Sequence, residues 1–193
     1  MVQAHKMNTN ARSTILSRIA AADLPNHPHP GDFRAHPDTS RTLQEVIASC
    51  GATCIECRDL NDFRTGLLND IAPAGDYYSL TAGLGETPTN KLNASELLKI
   101  KVTIASGEFV VLEHGAIWFP ADLRRTAAPL FTCEQLVILL QRSEVVPTMI
   151  EAMARVAMRP GWFICGPSKT ADIEQCLVIG AQGARRVTVV LLG

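Results

Sequence analysis

The chain has 193 residues, of which 47% are hydrophobic and 19% are charged, and 18 basic residues against 19 acidic ones leave a formal charge of −1. This length suits one globular domain of about 150 residues with an appendage, and the balanced charge argues against nucleic-acid binding, which usually needs a basic surface. No apolar run approaches the roughly 20 residues of a membrane-spanning helix, and the N-terminus lacks the apolar segment of a signal peptide. We therefore expect a cytoplasmic protein without a membrane span.

Residues 1–38 are expected to form an N-terminal helical arm followed by a linker. Apolar residues at helical spacing predict a helix over residues 11–22. The proline-rich stretch after it has no hydrophobic period, which is typical of a linker. Its three histidines, His27, His29 and His36, have no carboxylate or thiol cluster beside them, so we predict no metal site.

Residues 39–193 alternate between helical and strand-like patterns, which is typical of an α/β domain. Helices are expected over residues 40–50, 60–70, 94–100, 148–158 and 170–179. Strands are expected over residues 53–57, 77–80, 102–105, 109–112, 116–119, 135–140, 162–165 and 186–192. The apolar run over 135–140 is typical of a central strand that is covered on both faces. The expected architecture is an open, mainly parallel sheet flanked by helices.

The six cysteines make up too small a share of the chain for a disulfide scaffold. The spacing of Cys50, Cys54 and Cys57 could serve an iron–sulfur cluster, but a helix end followed by a strand would point the thiols apart. The other three, Cys133, Cys165 and Cys176, lie in apolar surroundings typical of a core. All six are therefore predicted to be structural thiols.

The apolar run over residues 110–119 is interrupted by Glu113 and His114. A buried glutamate has a raised pKa, which suits acid–base or nucleophilic chemistry. Alternatively, the two residues lie in water at a turn between two short strands. The residues alone leave both possibilities open.

A second segment, Gly166-Pro-Ser-Lys-Thr, lies between an expected strand and the expected helix over 170–179. Helix-start amides together with Ser168 and Lys169 could hold an anion there. Alternatively, Thr170 caps the helix while Asp172 and Glu174 complement the helix dipole, and these acids would repel an anion. Again the residues leave both possibilities open.

Both segments resemble motifs of the LUD domain family. The stretch from Gly166 to Gly183, followed by an apolar strand, is similar to the family's C-terminal signature, and Glu113 and Gly115 match its central motif, where His114 replaces a threonine. The resemblance covers nearly the whole chain. It implies an α/β fold like that of the ribose-5-phosphate isomerase, glucosamine-phosphate deaminase and CoA-transferase group.

The resemblance also implies a role in a three-protein system that oxidises L-lactate to pyruvate. The iron–sulfur clusters of that system are expected in partner proteins, with no cofactor in this chain. We expect a small anionic ligand between the two segments, with Glu113 as base or nucleophile and His114 beside it. The expected ligand-binding residues are Gly115, Gly166, Pro167, Ser168, Lys169, Thr170, Asp172 and Glu174.

Two other functions remain open. The chain could be an independent isomerase or transferase that acts on a phosphorylated or CoA-linked metabolite. It could also be a non-enzymatic interaction subunit of an iron–sulfur oxidoreductase, in which both motifs maintain the fold.

Overall fold

The computed structural model describes residues 9–22, 40–85, 92–121, 127–171 and 177–193. The chain divides into two units, Met1–Arg34 and Ala35–Gly193. In the first unit the expected arm helix is confirmed as α1 (Thr9–Ala21), whose apolar residues Ile15, Leu16 and Ile19 are exposed. The expected boundary between residues 38 and 39 and the three histidines of the linker lie outside the described residues.

The second unit is built from strands and short helical segments. Its helices are α2 (Leu43–Ser49), α3 (Leu60–Asp62), α4 (Leu68–Ile71), α5 (Ala94–Leu97), α6 (Ala128–Thr132) and α7 (Met149–Val156), with a π-helical turn over Phe63–Leu67 and a 3-10 turn over Pro73–Gly75. Its strands are β1 (Thr53–Cys57), β2 (Tyr78–Ser79), β3 (Val102–Ser106), β4 (Phe109–Val111), β5 (Ile117–Pro120), β6 (Gln135–Gln141), β7 (Val145–Val146), β8 (Gly161–Ile164), β9 (Lys169–Ala171), β10 (Leu177–Ile179) and β11 (Arg186–Leu192).

The main sheet has five strands in the order β1-β11-β6-β3-β2, and all neighbouring strands are parallel. At its centre β6 is buried from Leu136 to Leu140, and β11 is buried from Val187 to Leu192. These buried segments are apolar except for Thr188, as is typical of strands that are covered on both faces. The expected α/β architecture with a mainly parallel sheet is therefore confirmed.

Side chains on the two faces of β6 enter different apolar clusters. Leu136, Ile138 and Leu140 pack with Ile47 of α2 and with residues of a second sheet. The alternate residues Val137 and Leu139 face the other way and pack with residues of the helical segment that follows β1. The sheet is thus covered on one face by α2 and the second sheet, and on the other by that helical segment.

The second sheet has four strands in the order β7-β4-β5-β8 and is mixed. β4 pairs antiparallel with β5 and parallel with β7, and β5 pairs antiparallel with β8. Its outer face carries an aromatic cluster, in which the Trp118 and Phe163 ring centroids are 4.8 Å apart. Every helix within the described residues is too short or too polar to traverse a bilayer.

The predicted helix over residues 170–179 is wrong. β9 and β10 instead form an antiparallel pair, with Thr170 opposite Val178 and Lys169 opposite Ile179. Thr170, Val178 and Ile179 are β-branched and lose side-chain freedom in a helix, which favours extended backbone. The three residues of β10 are exposed, so no buried helical face overrides this preference.

The strand expected over residues 162–165 lies outside the main parallel sheet. β8 (Gly161–Ile164) belongs to the mixed sheet, where it pairs antiparallel with β5. The Gly166 segment therefore does not follow the carboxyl end of a parallel strand, which is where open α/β sheets usually bind ligands.

Candidate functional site

A cleft of about 540 Å³ lies beside the Gly166 segment. Its volume falls within the range of sites that bind small molecules. The cleft lies between two loops, one that joins β8 to β9 and one that precedes β11, and the end of α2 contributes to its wall. Its described lining residues are Cys50, Leu130, Phe131, Leu136, Phe163, Ile164, Cys165, Gly166, Pro167, Ser168, Lys169, Gln182, Gly183, Ala184 and Val187.

Lys169 and Ser168 tie the Gly166 segment to its surroundings. The Lys169 ammonium donates a hydrogen bond to the carbonyl oxygen of Cys50, at 2.7 Å. The Ser168 hydroxyl oxygen accepts one from the backbone N–H of Gln182, at 3.3 Å, and the Ser168 N–H donates to the carbonyl oxygen of Ala184, at 2.9 Å. These contacts fix the segment against the end of α2 and against the loop before β11.

Other predicted residues of this segment lie in different places. Pro167 is buried in the cleft wall, whereas Thr170 is exposed in β9. A residue inside an antiparallel pair does not cap a helix, so the capping role predicted for Thr170 is wrong. Asp172 and Glu174 lie outside the described residues.

The central segment forms a turn over Leu112–His114 between β4 and β5. Glu113 is exposed there, and its carboxylate accepts a hydrogen bond from the backbone N–H of Met149, at 2.9 Å. Met149 is the first residue of α7, so the negative charge lies at the positive end of the helix dipole. Of the two possibilities that the sequence leaves open, the structure shows the exposed turn.

His114, the last residue of this turn, is half-buried. Its Nδ1 accepts a hydrogen bond from the backbone N–H of Ala116, at 3.3 Å. Gly115 has a φ of +74°, a conformation that L side chains rarely adopt. Neither Glu113 nor His114 is among the described residues that line the cleft. These two residues therefore do not share the cleft with Lys169, in contrast to the prediction from the sequence.

The two segments meet instead at Cys50, the residue that caps the C-terminus of α2. The His114 carbonyl oxygen accepts a hydrogen bond from the Cys50 thiol, at 3.0 Å, and another from the Cys165 thiol, at 3.2 Å. A β-carbon on Gly115 would lie 2.9 Å from the Cys50 sulfur, and one on Gly166 would lie 2.4 Å from the Cys50 oxygen. The glycines of both motifs therefore make room for this cysteine.

Cys165 is exposed at the cleft, so its predicted place in the core is wrong. Desolvation of the thiol and its interaction with Cys50 raise the pKa of Cys165 to about 12, although the nearby Lys169 cation acts to lower it. The thiol is therefore neutral at physiological pH. The local sequence does not predict the proximity of Cys50 and Cys165, because these residues come together only in the folded chain.

The other described cysteines lie as the sequence predicts. Cys54 and Cys57 pack into the clusters on opposite faces of the main sheet, and Cys133 is buried in the core. The described residues contain no group of three or more histidine, cysteine or acidic side chains that could hold a metal ion. The predicted core position of Cys176 falls outside the described residues.

Comparison with protein families identifies the domain. Residues 40–192 match the family model described as the LUD domain. Lactate utilization protein C of Anoxybacillus flavithermus (strain DSM 21510 / WK1) is 30% identical over 160 residues, which are 78% of this chain and 68% of that protein. Lactate utilization protein C of Geobacillus sp. (strain WCH70) is 23% identical over 165 residues, or 80% of this chain and 68% of that protein.

A third relative matches a shorter stretch. Lactate utilization protein C of Bacillus pumilus (strain SAFR-032) is 28% identical over 99 residues, which are 47% of this chain and 41% of that protein. Among solved structures, a DUF162 family protein from Deinococcus radiodurans superposes with a TM-score of 0.57 at 15% identity, covering 78% of this chain and 94% of that one. At this identity the superposition establishes a shared fold.

Proposed function

This chain belongs to the LUD domain family, and from that membership we propose that it acts in lactate utilization, the role for which its relatives are named. More specifically, we propose that the chain is the stand-alone LUD-domain subunit of a system that oxidises L-lactate to pyruvate. Its cleft then binds a small organic anion.

The charge of the cleft supports the proposal that its ligand is an anion. Lys169 is the only charged side chain among the described residues that line it. An ammonium has three N–H donors, so the hydrogen bond to Cys50 does not exhaust its capacity. A carboxylate beside Lys169 would meet an attractive charge without a competing acid from the described lining.

Apolar side chains form part of the remaining cleft wall. Leu130, Leu136 and Val187 line it together with Phe131 and Phe163. Burial of apolar ligand surface against such walls is favourable. Lactate and pyruvate combine a carboxylate with a methyl group, which suits one cation in an apolar cleft.

The proposal assigns the redox centres to partner proteins. Oxidation of lactate to pyruvate releases two electrons and two protons, and we assign the electrons to iron–sulfur proteins that act with this chain. The exposed apolar residues of β10, Leu177, Val178 and Ile179, offer a surface for such a partner.

Calorimetric titration of the full chain tests the ligand part. L-lactate, pyruvate, coenzyme A and a sugar phosphate are titrated into the wild type, into Lys169→Met, and into the matched control Lys99→Met. Lys99 is an exposed lysine that lines a different cleft. We expect L-lactate or pyruvate to bind the wild type and Lys99→Met, and Lys169→Met to bind at least tenfold more weakly, about 1.4 kcal/mol.

Two other outcomes would overturn the proposal. Binding of coenzyme A or the sugar phosphate alone would favour an independent transferase or isomerase. No binding of any ligand by folded protein, together with stable capture by an iron–sulfur oxidoreductase, would favour a non-enzymatic interaction subunit.

A further inference from the structure

Cys50 and Cys165 approach each other at one end of the cleft. Both thiols donate to the same acceptor, the His114 carbonyl oxygen, at 3.0 and 3.2 Å. Both residues also line the cleft, beside Lys169. Two sulfur atoms that share one oxygen acceptor are close neighbours in the fold.

From this arrangement we propose that Cys50 and Cys165 form a redox-active dithiol, which a low-molecular-weight disulfide converts into a disulfide bond at the end of the cleft. The inference does not depend on the proposed role in lactate utilization. It assigns to this chain a thiol-modification site in addition to its ligand cleft.

The backbone around the two cysteines favours such a bond. Gly166, which follows Cys165, lies so close to Cys50 that a β-carbon at Gly166 would be 3.2 Å from the Cys50 β-carbon. The chain beside Cys165 therefore passes directly against Cys50, and a disulfide additionally needs the β-carbons of Cys50 and Cys165 to lie about 3.5–4.5 Å apart. The Lys169 ammonium donates a hydrogen bond to the Cys50 carbonyl oxygen.

The oxidation proceeds by two exchange steps. The Cys50 thiolate attacks one sulfur of the small disulfide, forms a mixed disulfide and releases one small thiol. Cys165, after losing its proton to solvent, attacks the Cys50 sulfur and displaces the second small thiol. The two cysteines are oxidised by two electrons and the small disulfide is reduced to two thiols.

The other described cysteines provide internal controls. Cys54 and Cys57 lie on opposite faces of the main sheet, and Cys133 is buried in the core. Their positions are typical of structural thiols, whereas Cys50 and Cys165 border a solvent-connected cleft. Oxidation would remove both S–H donors from the His114 oxygen and change the wall beside Lys169.

Oxidation with glutathione disulfide and peptide mapping of the full chain test this pair. Trypsin places Cys50 in the peptide 42–58, with Cys54 and Cys57, and Cys165 in the peptide 156–169. We expect glutathione disulfide to remove two free thiols and to join these peptides through a bond that dithiothreitol reverses. Fragmentation should locate the bond at Cys50.

Variants separate the pair from its neighbours. Cys54→Ser, with or without Cys57→Ser, should keep the cross-link, whereas Cys50→Ser should abolish it. A bond from Cys165 to Cys176, a bond to Cys54 or Cys57, or glutathione caps without a cross-link in the wild type would overturn the proposal.

Discussion

The backbone of Gly166 lies so close to Cys50 that a β-carbon on Gly166 would be 2.4 Å from the Cys50 carbonyl oxygen. An atom at that distance forces one of two backbone segments to move, and the φ of +64° at Gly166 adds strain for any L side chain. We expect Gly166→Ala to lower the free energy of unfolding by about 1–3 kcal/mol. Urea denaturation measures the change.

Gly66 provides the matched control for this substitution. It lies in the π-helical turn, where an added β-carbon would meet no atom within 4 Å. Alanine there reduces the freedom of the unfolded chain, so Gly66→Ala should be neutral or stabilising by up to about 1 kcal/mol. Equal destabilisation of both variants would contradict the close approach of Gly166 to Cys50.

Glu113 is expected to stabilise the start of α7. Its carboxylate accepts a hydrogen bond from the first amide of that helix, so Glu113→Ala should lower the free energy of unfolding by about 0.5–2 kcal/mol. Glu113→Gln keeps an acceptor oxygen and should cost less. Urea denaturation distinguishes the two variants.

The same Glu113→Gln variant tests the catalytic role predicted from the sequence. A reconstituted lactate-oxidising system with unchanged turnover would remove Glu113 from the chemistry and leave its contact with α7 as its role. A large loss of turnover without loss of stability would support its role as base or nucleophile. Larger destabilisation by Gln than by Ala would contradict the helix contact.

Glu108 should make stability depend on acid pH. Arg159 donates two hydrogen bonds to its carboxylate, at 2.8 and 3.1 Å, and holds the pKa of Glu108 below its ordinary value. A depressed folded pKa stabilises the fold above the ordinary carboxyl pKa of about 4.3, and this contribution disappears as the pH falls through the folded value. Glu108→Gln should therefore be less stable than the wild type at neutral pH, and the difference should vanish at low pH.

Urea denaturation across this pH range measures the difference between the two proteins. The exposed glutamate Glu134 offers the control. Glu134→Gln also removes a carboxylate, but Arg159 pairs with Glu108 and not with Glu134. A constant gap between the wild type and Glu108→Gln at all pH values would contradict the contribution of the ion pair.

The centre of the fold is predictable from the sequence because burial on both faces imposes an unbroken apolar run. β6 is such a run from Leu136 to Leu140, and β11 is one from Val187 to Leu192 except for Thr188. β1 and β11 also have the ends that the sequence pattern predicts. The antiparallel pair of β9 and β10 is not predictable in this way. All residues of β9 and β10 are exposed, so no burial pattern distinguishes a helix from a strand there. Only weak local preferences separate the two conformations.

The candidate site is only partly predictable for a different reason. The Gly166 segment and Lys169 are recognisable by their motif, and they do line a cleft. Cys50 is remote in sequence from both motifs, and its contacts with His114 and Lys169 exist only once α2 packs beside the two loops. A single sequence carries no periodic signal for such contacts.

The thiol of Cys165 should react slowly until the pH is strongly alkaline. Desolvation and the neighbouring Cys50 raise its pKa to about 12, while Lys169 acts to lower it. Only the thiolate is alkylated readily, so iodoacetamide should modify Cys165 of reduced, folded protein slowly at neutral pH and faster as the pH rises. Lys169→Met should slow the reaction further, because removal of the cation raises the pKa, whereas Lys99→Met should not. Mass spectrometry of the Cys165 peptide follows the rate, and equal rates in folded and urea-unfolded protein at neutral pH would show that the fold does not suppress this thiolate.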